Sequence, residues 1–426
     1  MQTITDHPLR YQLTNELHAR PFPAMTSPCT IAYLAVKQPH EAAHRDRQQD
    51  LAHLIDLLDR HGAAHPQPGA THHSVQIGRH TLKWESHTEF VSYTVFSDGV
   101  GARAFDPHDF SVFPQDWLEA APGQRITSIL MRVQERPDPD TILACLNDWF
   151  VPESLAISSV LDDSAIAGGD FRIDSAGHMR FAVFVSAGTG ERRIGRIVQR
   201  LCEIETYKAM SMLGFSRVRG LSARIGELDT RLSALMIELS DEQARADETL
   251  PPLLSVATEL ETIGARAAFR FGATGAYEAI VNQRIALLRE ERFMGRQTFS
   301  EFMIRRYDPA MRTVKSTQQR VARLADRATR AGELLRTQVD VARSAQNQAL
   351  LESMDRRADT ALRLQHTVEG LSVVAISYYA VSLVGYMVYP LADVLEVSKG
   401  TLTAGITLPV VGLVWLAIRR IRQKLH

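Results

Sequence analysis

The sequence predicts three parts in order: an N-terminal mixed domain of α/β or α+β class, a long α-helical coiled-coil stalk, and a C-terminal two-helix transmembrane hairpin. Strand-like and helix-like patterns interleave up to Gly188, and long helical periodicity takes over from Glu191. Two uninterrupted apolar stretches, residues 370–392 and 400–418, then close the 426-residue chain. The expected boundaries are 1–188 for the mixed domain, 189–369 for the stalk, 393–399 for a connecting loop and 419–426 for a basic tail.

Within 1–188 the elements alternate. The run Cys29 to Val36 (CTIAYLAV) is apolar throughout, as a strand buried on both faces requires. Residues 41–60 read as a helix with Leu51, Leu54, Ile55 and Leu58 on one face. His61-Gly62 ends it, and a Pro/Gly-rich loop over 65–69 follows. Residues 80–85 and 90–96 read as neighbouring antiparallel strands. The second alternates Phe90, Ser92 and Thr94 against Val91, Tyr93 and Val95. Residues 126–133 supply another strand. Residues 171–173 and 179–185 flank a Ser-Ala-Gly turn and predict a hairpin.

The stalk opens with Ile194, Ile197, Leu201 and Ile204 at 3-4-3 spacing, and Ile225, Leu228, Leu232, Leu235 and Leu239 continue the rhythm. Gly214 and Gly220 weaken the helix between them. Pro251-Pro252 is expected to break it, a second helix to run to about Tyr307, and Pro309 to open a third that enters the first apolar stretch. In that third helix Val321, Ala328, Leu335 and Ala342 recur every seven residues, with Leu324, Ala331, Gln338 and Ala345 as the complementary set. Heptads with faces that one copy cannot bury predict a homo-oligomer. Arg192-Arg193, Arg305-Arg306 and Arg356-Arg357 alternate with Glu and Asp, the pattern of a solvated, ion-paired surface. With a formal net charge of −1, nothing points to a nucleic-acid partner.

At 1.5 Å per residue the two apolar stretches reach roughly 35 and 28 Å, against a hydrocarbon core about 30 Å thick. The lipid bilayer is therefore the first expected partner, with each stretch a helix because lipid leaves no open backbone satisfied. A pair of buried core helices is the competing reading, but core helices seldom run so far without a charge. Arg356, Arg357 and Arg363 precede the first stretch, and Arg419, Arg420, Arg422 and Lys424 follow the second; the loop holds Asp393, Glu396 and one Lys399. Both termini should therefore face the cytoplasm. Tyr386, Tyr389 and Trp415 fit interfacial anchors. The first 23 residues carry Asp6, Arg10, Glu16 and Arg20 where an export signal needs an apolar core. Cys29, Cys145 and Cys202 are odd in number and widely spaced, which reads as reduced thiols.

No constellation points to catalysis, a cofactor or a bound metal, and the expected function is non-enzymatic. Residues 188–195 (GTGERRIG) open a helix, but the third glycine is misplaced for GxGxxG and no GKS or GKT follows. His72, His73, His80 and His87 lie near Glu85 and Glu89 without the spacing of a ligand set. In the N-terminal run, Glu16, His18 and Arg20 share a turn and form either a polar site or a locally paired, capped helix. Ser382, Gly385, Tyr386 and Met387 in the first apolar stretch serve either a pore among several copies or packing between helices. An unidentified protein partner of the mixed domain stays open.

The runs HPLRYQLTNELHARPFP (7–23) and RIVQRLCEIETYKAMSMLGF (196–215), together with the C-terminal hairpin, resemble a bacterial family of membrane-anchored proteins known only as a domain of unknown function. The resemblance spans essentially the whole chain and implies a multi-pass protein of the bacterial inner membrane. The order of parts is also similar to CorA-type magnesium transporters, which implies a divalent-cation channel as the alternative function. Those channels carry Gly-Met-Asn at the outer end of the first span; here Gly385-Tyr386-Met387-Val388-Tyr389-Pro390 has no Asn to meet a hydrated Mg²⁺.

Overall fold

The computed structural model describes residues 4–17, 22–39, 42–239, 246–394 and 398–425. The chain forms two compact units, 1–244 with 251–331, and 245–250 with 332–426.

The first unit is built on a nine-stranded mixed sheet of order β2-β3-β4-β1-β5-β8-β7-β6-β9. Its strands are β1 (Cys29–Lys37), β2 (His72–Ile77), β3 (His80–Ser86), β4 (Phe90–Asp98), β5 (Gln124–Glu135), β6 (Ala156–Val160), β7 (Ala165–Gly169), β8 (Met179–Val185) and β9 (Glu291–Arg292). The β5–β8 pair is parallel and the others are antiparallel. Helices cover both faces, which is why central β1 is apolar along nearly its whole length. One face carries α2 (Arg47–Arg60), α3 (Gln115–Glu119) and α4 (Pro139–Trp149), around a core of Leu54, Leu58, Tyr93, Trp117, Leu146 and Phe184. The other carries the first part of α5 (Glu191–Glu238), packing Ile194, Ile197, Leu201 and Ile204 onto Ile31, Tyr33, Met131, Phe181 and Val183.

Beyond the sheet, α5 packs beside α6 (Ala246–Leu288) and the start of α8 (Asp308–Val394). Val218, Ile225, Leu228 and Leu232 of α5 are buried, as are Val256, Leu260, Ala267 and Phe271 of α6 and Val314, Val321, Leu324 and Ala328 of α8. Arg224 clamps Glu259 with two bonds of 2.6 Å, tying α5 to α6. Arg320 lies 2.5 Å from Asp229, tying α8 to α5. Gly214 lets α5 and α6 approach closely, because a Cβ there would stand 2.1 Å from Thr274 Oγ1.

Several expectations are corrected. The helix foreseen over 41–60 starts at Arg47, where the Asp46 side chain accepts the Gln48 N–H; only a short 3₁₀ turn, Ala42–His44, precedes it. Residues 171–173 are not a strand: Phe171 has φ of 52°, and only an isolated bridge joins Ile173 to Met179. The antiparallel partner of β8 is β7, whose Gly168 and Gly169 leave room for Leu146 and Phe181. Pro251-Pro252 does not break a helix. The pair stands just over one turn into α6, so only two carbonyls lose their helical donors. The second helix does not reach Tyr307: it ends at Leu288, Arg289 takes φ of 48°, β9 pairs with β6, and α7 (Phe299–Arg306) follows.

In the second unit α8 continues from Gly332, and α9 (Lys399–Leu425) completes it. Residues 340–368 of α8 are exposed on every face. Both helices contain windows long and apolar enough to cross a membrane, with mean hydropathy 1.8 and 1.9.

Candidate functional site

Strand alternation decides what lies between α5 and the sheet. On β4 the Val91, Tyr93 and Val95 side chains join the α2–α4 layer, which turns Phe90, Ser92, Thr94 and Phe96 toward α5. On neighbouring β3, Lys83 and Glu85 point the same way. With His87, Pro23 and the α5 residues Gln199, Cys202, Glu203, Thr206 and Tyr207 they line a cavity of about 30 Å³, room for about two waters.

Charges in this chamber are paired in series. Lys83 Nζ lies 3.2 Å from Glu85 Oε1 and donates to Gln199 Oε1 at 3.1 Å. Gln199 Nε2 donates to Glu203 Oε1 at 2.9 Å, and Glu203 receives the Arg284 guanidinium of α6. Two anions and two cations alternate, so the chain neutralises itself where an isolated buried charge would be costly. A second tie stands beside it: buried Glu89 receives Arg270 and, at 2.9 Å, the Tyr277 hydroxyl. This side of the sheet is thus bound to α5 by a hydrogen bond from Lys83 and to α6 by the Glu89–Arg270 ion pair, in addition to apolar packing.

The protonation states are set by burial. Desolvation pushes the Cys202 thiol up, with Glu203 adding to the effect, so it stays protonated and packs as a small apolar group. Cys29 is pushed up to about 12 by burial and by Asp98. Tyr33 is likewise raised, chiefly by burial. Thr206 Oγ1 lies 2.8 Å from both the Cys202 carbonyl and Tyr33 Oη. Thr206 has a single proton, so when it serves the carbonyl, Tyr33 is the donor to Thr206.

The segment entering β1 crosses the start of α5 at Gly195, where a Cβ would lie 1.8 Å from the Pro23 carbonyl oxygen. The Met25 N–H bonds the Glu191 carbonyl at 3.3 Å. Pro23 ends the run 7–23, and the run 196–215 supplies the helical wall. The last residue of the run 7–23 therefore meets the run 196–215 at this chamber.

Of the residues singled out in the N-terminal run, Glu16 falls in α1 (Arg10–Leu17), while His18 and Arg20 lie outside the described residues. His73 Nε2 meets the Ala64 carbonyl at 2.8 Å, and His80 Nδ1 meets Ser97 Oγ at 2.6 Å. Among the described residues no group of three His, Cys, Asp or Glu is placed to hold a metal ion. The glycine run at 188–190 is a turn that opens α5, with Thr189 and Arg193 bonded to Ser164. In α8, Ser382 Oγ donates to the Tyr378 carbonyl at 2.9 Å, Gly385 is buried, and Tyr386 and Met387 are largely exposed. Sequence reasoning named Glu85 only beside the histidines and missed Lys83, Gln199 and Glu203. The available signal is their spacing: two apart on a strand, four apart on a helix.

No curated protein matches the chain. A family described as "Protein of unknown function" matches residues 5–425, and the chain belongs to that family, DUF3422.

Proposed function

We propose that this is a non-enzymatic integral protein of the bacterial inner membrane, a self-associating scaffold or sensor whose sheet domain is held at the cytoplasmic face by a two-helix hairpin. The observation that carries this reading is the exposure of the apolar helices. The most apolar windows of α8 and α9 are only 11% and 0% buried within the chain. Core helices of a soluble protein are covered by their own fold; these need lipid or another copy to cover them. The ion-paired chamber gives the domain a place where a change at the sheet edge would be felt by α5 and α6. Deleting residues 371–426 is expected to release the body into the supernatant, while the full chain withstands alkaline extraction from membranes. A truncated chain that still sediments with membranes would overturn the anchor.

One observation favours a second reading, a divergent CorA-like divalent-cation channel. α8 runs unbroken from Asp308 through the first apolar stretch, as in the layout of those transporters. The missing Asn and the absence of Asp, Glu, Lys or Arg between 370 and 392 speak against a site for a strongly hydrated ion. Flux of Mg²⁺, Co²⁺ or Ni²⁺ into proteoliposomes separates the two. Saturable flux lost on changing Tyr386 would establish the channel, and none above empty liposomes leaves the scaffold.

A further inference from the structure

Past Leu335 the heptad register that is buried in the first unit gives way to another. Leu350, Met354, Ala361, Leu364, Val368 and Leu371 follow 4-3 spacing, with Arg357 the only charge in the series. The same series passes into the apolar stretch through Ala375, Tyr378 and Ser382. Leu350, Met354, Leu364, Leu371 and Tyr378 are all more than half exposed. Positions flanking the stripe, Leu351, Ser353, Ala358, Thr360, Gln365 and Thr367, are uncharged. The remaining charge lies on the outer faces, at Glu352, Asp355, Arg356, Asp359, Arg363 and Glu369.

In the apolar stretch the face of α8 covered within its own unit is marked by Ser377, Val381, Gly385 and Val388. At about 100° per residue, Leu371, Ala375, Tyr378 and Ser382 are centred about a quarter turn from that face, and the next step of the series is Gly385 itself, so the stripe stays open as far as Tyr378 and then passes under the chain's own cover. Tyr378 is 70% exposed there, a polar tip on the open part of a stretch where an unpaired polar group is costly.

We infer that this stripe is a parallel helix–helix interface and that its occupant is α8 of a second copy of this chain. A partner must continue from water into the apolar layer without changing register, with uncharged flanks in the first part and a polar contact at the depth of Tyr378 in the second. α8 itself meets each requirement, and two copies inserted with the same orientation are necessarily parallel. Arg357 then faces its own counterpart, a charge at a core position that weakens the pair and fixes its register. The inference rests on the self-associating membrane reading above and names the surface that reading uses.

The test uses the full chain in native membranes, with single cysteines placed in a Cys145→Ser background; Cys29 and Cys202 are buried. Leu350→Cys, Leu364→Cys and Val368→Cys are expected to form disulfide-linked dimers on oxidation. Asp359→Cys and His366→Cys, equally exposed in a single copy, are expected to stay monomeric. Arg357→Leu should raise the fraction of oligomer surviving dilution by about tenfold. Equal cross-linking at both sets, or no gain from Arg357→Leu, overturns the stripe even if the purified chain is oligomeric. A single-copy mass in nanodiscs overturns self-association itself, and a full chain found in the supernatant overturns the membrane reading.

Discussion

Two glycines on α5 show how a contact reverses the sign of one substitution. A Cβ at Gly214 would stand 2.1 Å from Thr274 Oγ1, whereas one at Gly220 meets nothing within 4 Å. Helix propensity favours alanine by about 1 kcal/mol at either site, but overpacking costs about 1–3 kcal/mol. Gly214→Ala should therefore destabilise the protein and Gly220→Ala stabilise it by up to about 1 kcal/mol, measured by urea unfolding in detergent. The buried histidines give a pH dependence of definite sign. His53 sits 3.0 Å from Tyr93 Oη and 2.9 Å from the Trp117 carbonyl, and His178 sits 3.0 Å from Ser128 Oγ. Burial lowers both below the usual 6.5 in the folded chain. The unfolded chain then takes up protons first, so stability is full above pH 6.5 and is lost as pH falls through the depressed folded values. The melting temperature should drop between pH 7 and pH 5. A flat profile over that range would show that neither imidazole resists protonation in the fold.

Elements form where local chemistry and packing agree, and α7 shows how completely a short helix can be capped. Glu290 accepts the Phe299 and Ser300 N–H groups, while Thr298 and Glu301 form a reciprocal capping box. Thr298→Ala should cost about 1 kcal/mol in the same unfolding measurement, and a loss below a few tenths would mean that Glu290 alone holds the turn. The sequence makes some elements plain and hides others for physical reasons. β4 is legible because alternation sorts its side chains to two different layers. β6 and β7 are hidden because small Ala and Gly residues read poorly as strand, and the turn between them uses Leu161, Asp162 and Asp163 at positive φ without a glycine. The end of α6 is hidden for a similar reason, since neither proline nor glycine marks Arg289. The chamber under α5 is the least legible part. Lys83 with Glu85, and Gln199 with Glu203, each look like a solvated pair; only the meeting of α5 with the sheet buries the first pair and half-buries the second.

For the whole molecule the decisive asymmetry is charge at the ends of the apolar helices. Arg356, Arg357 and Arg363 stand before the first stretch and Arg419 and Arg420 after the second, against Asp393, Glu396 and Lys399 in the connection. In the proposed membrane reading, retention of arginine and lysine on the cytoplasmic side would direct both termini inward and the connection outward. Lys399 lies over the Tyr389 ring at 5.6 Å and Arg419 over the Trp415 ring at 5.1 Å, so each end of the hairpin pairs an aromatic with a cation. Such pairs suit the headgroup layer, where an apolar body and a wet tip are both accommodated. In intact cells a Ser398→Cys variant, with Cys145 replaced by serine, should react with a membrane-impermeant maleimide. A reporter cysteine after His426 should react only once the membrane is opened. The reverse pattern would invert the protein and place its sheet domain outside. Labelling of both sites from one side would mean that the hairpin does not cross the bilayer, and the exposed apolar faces of α8 and α9 would then need a protein partner to cover them.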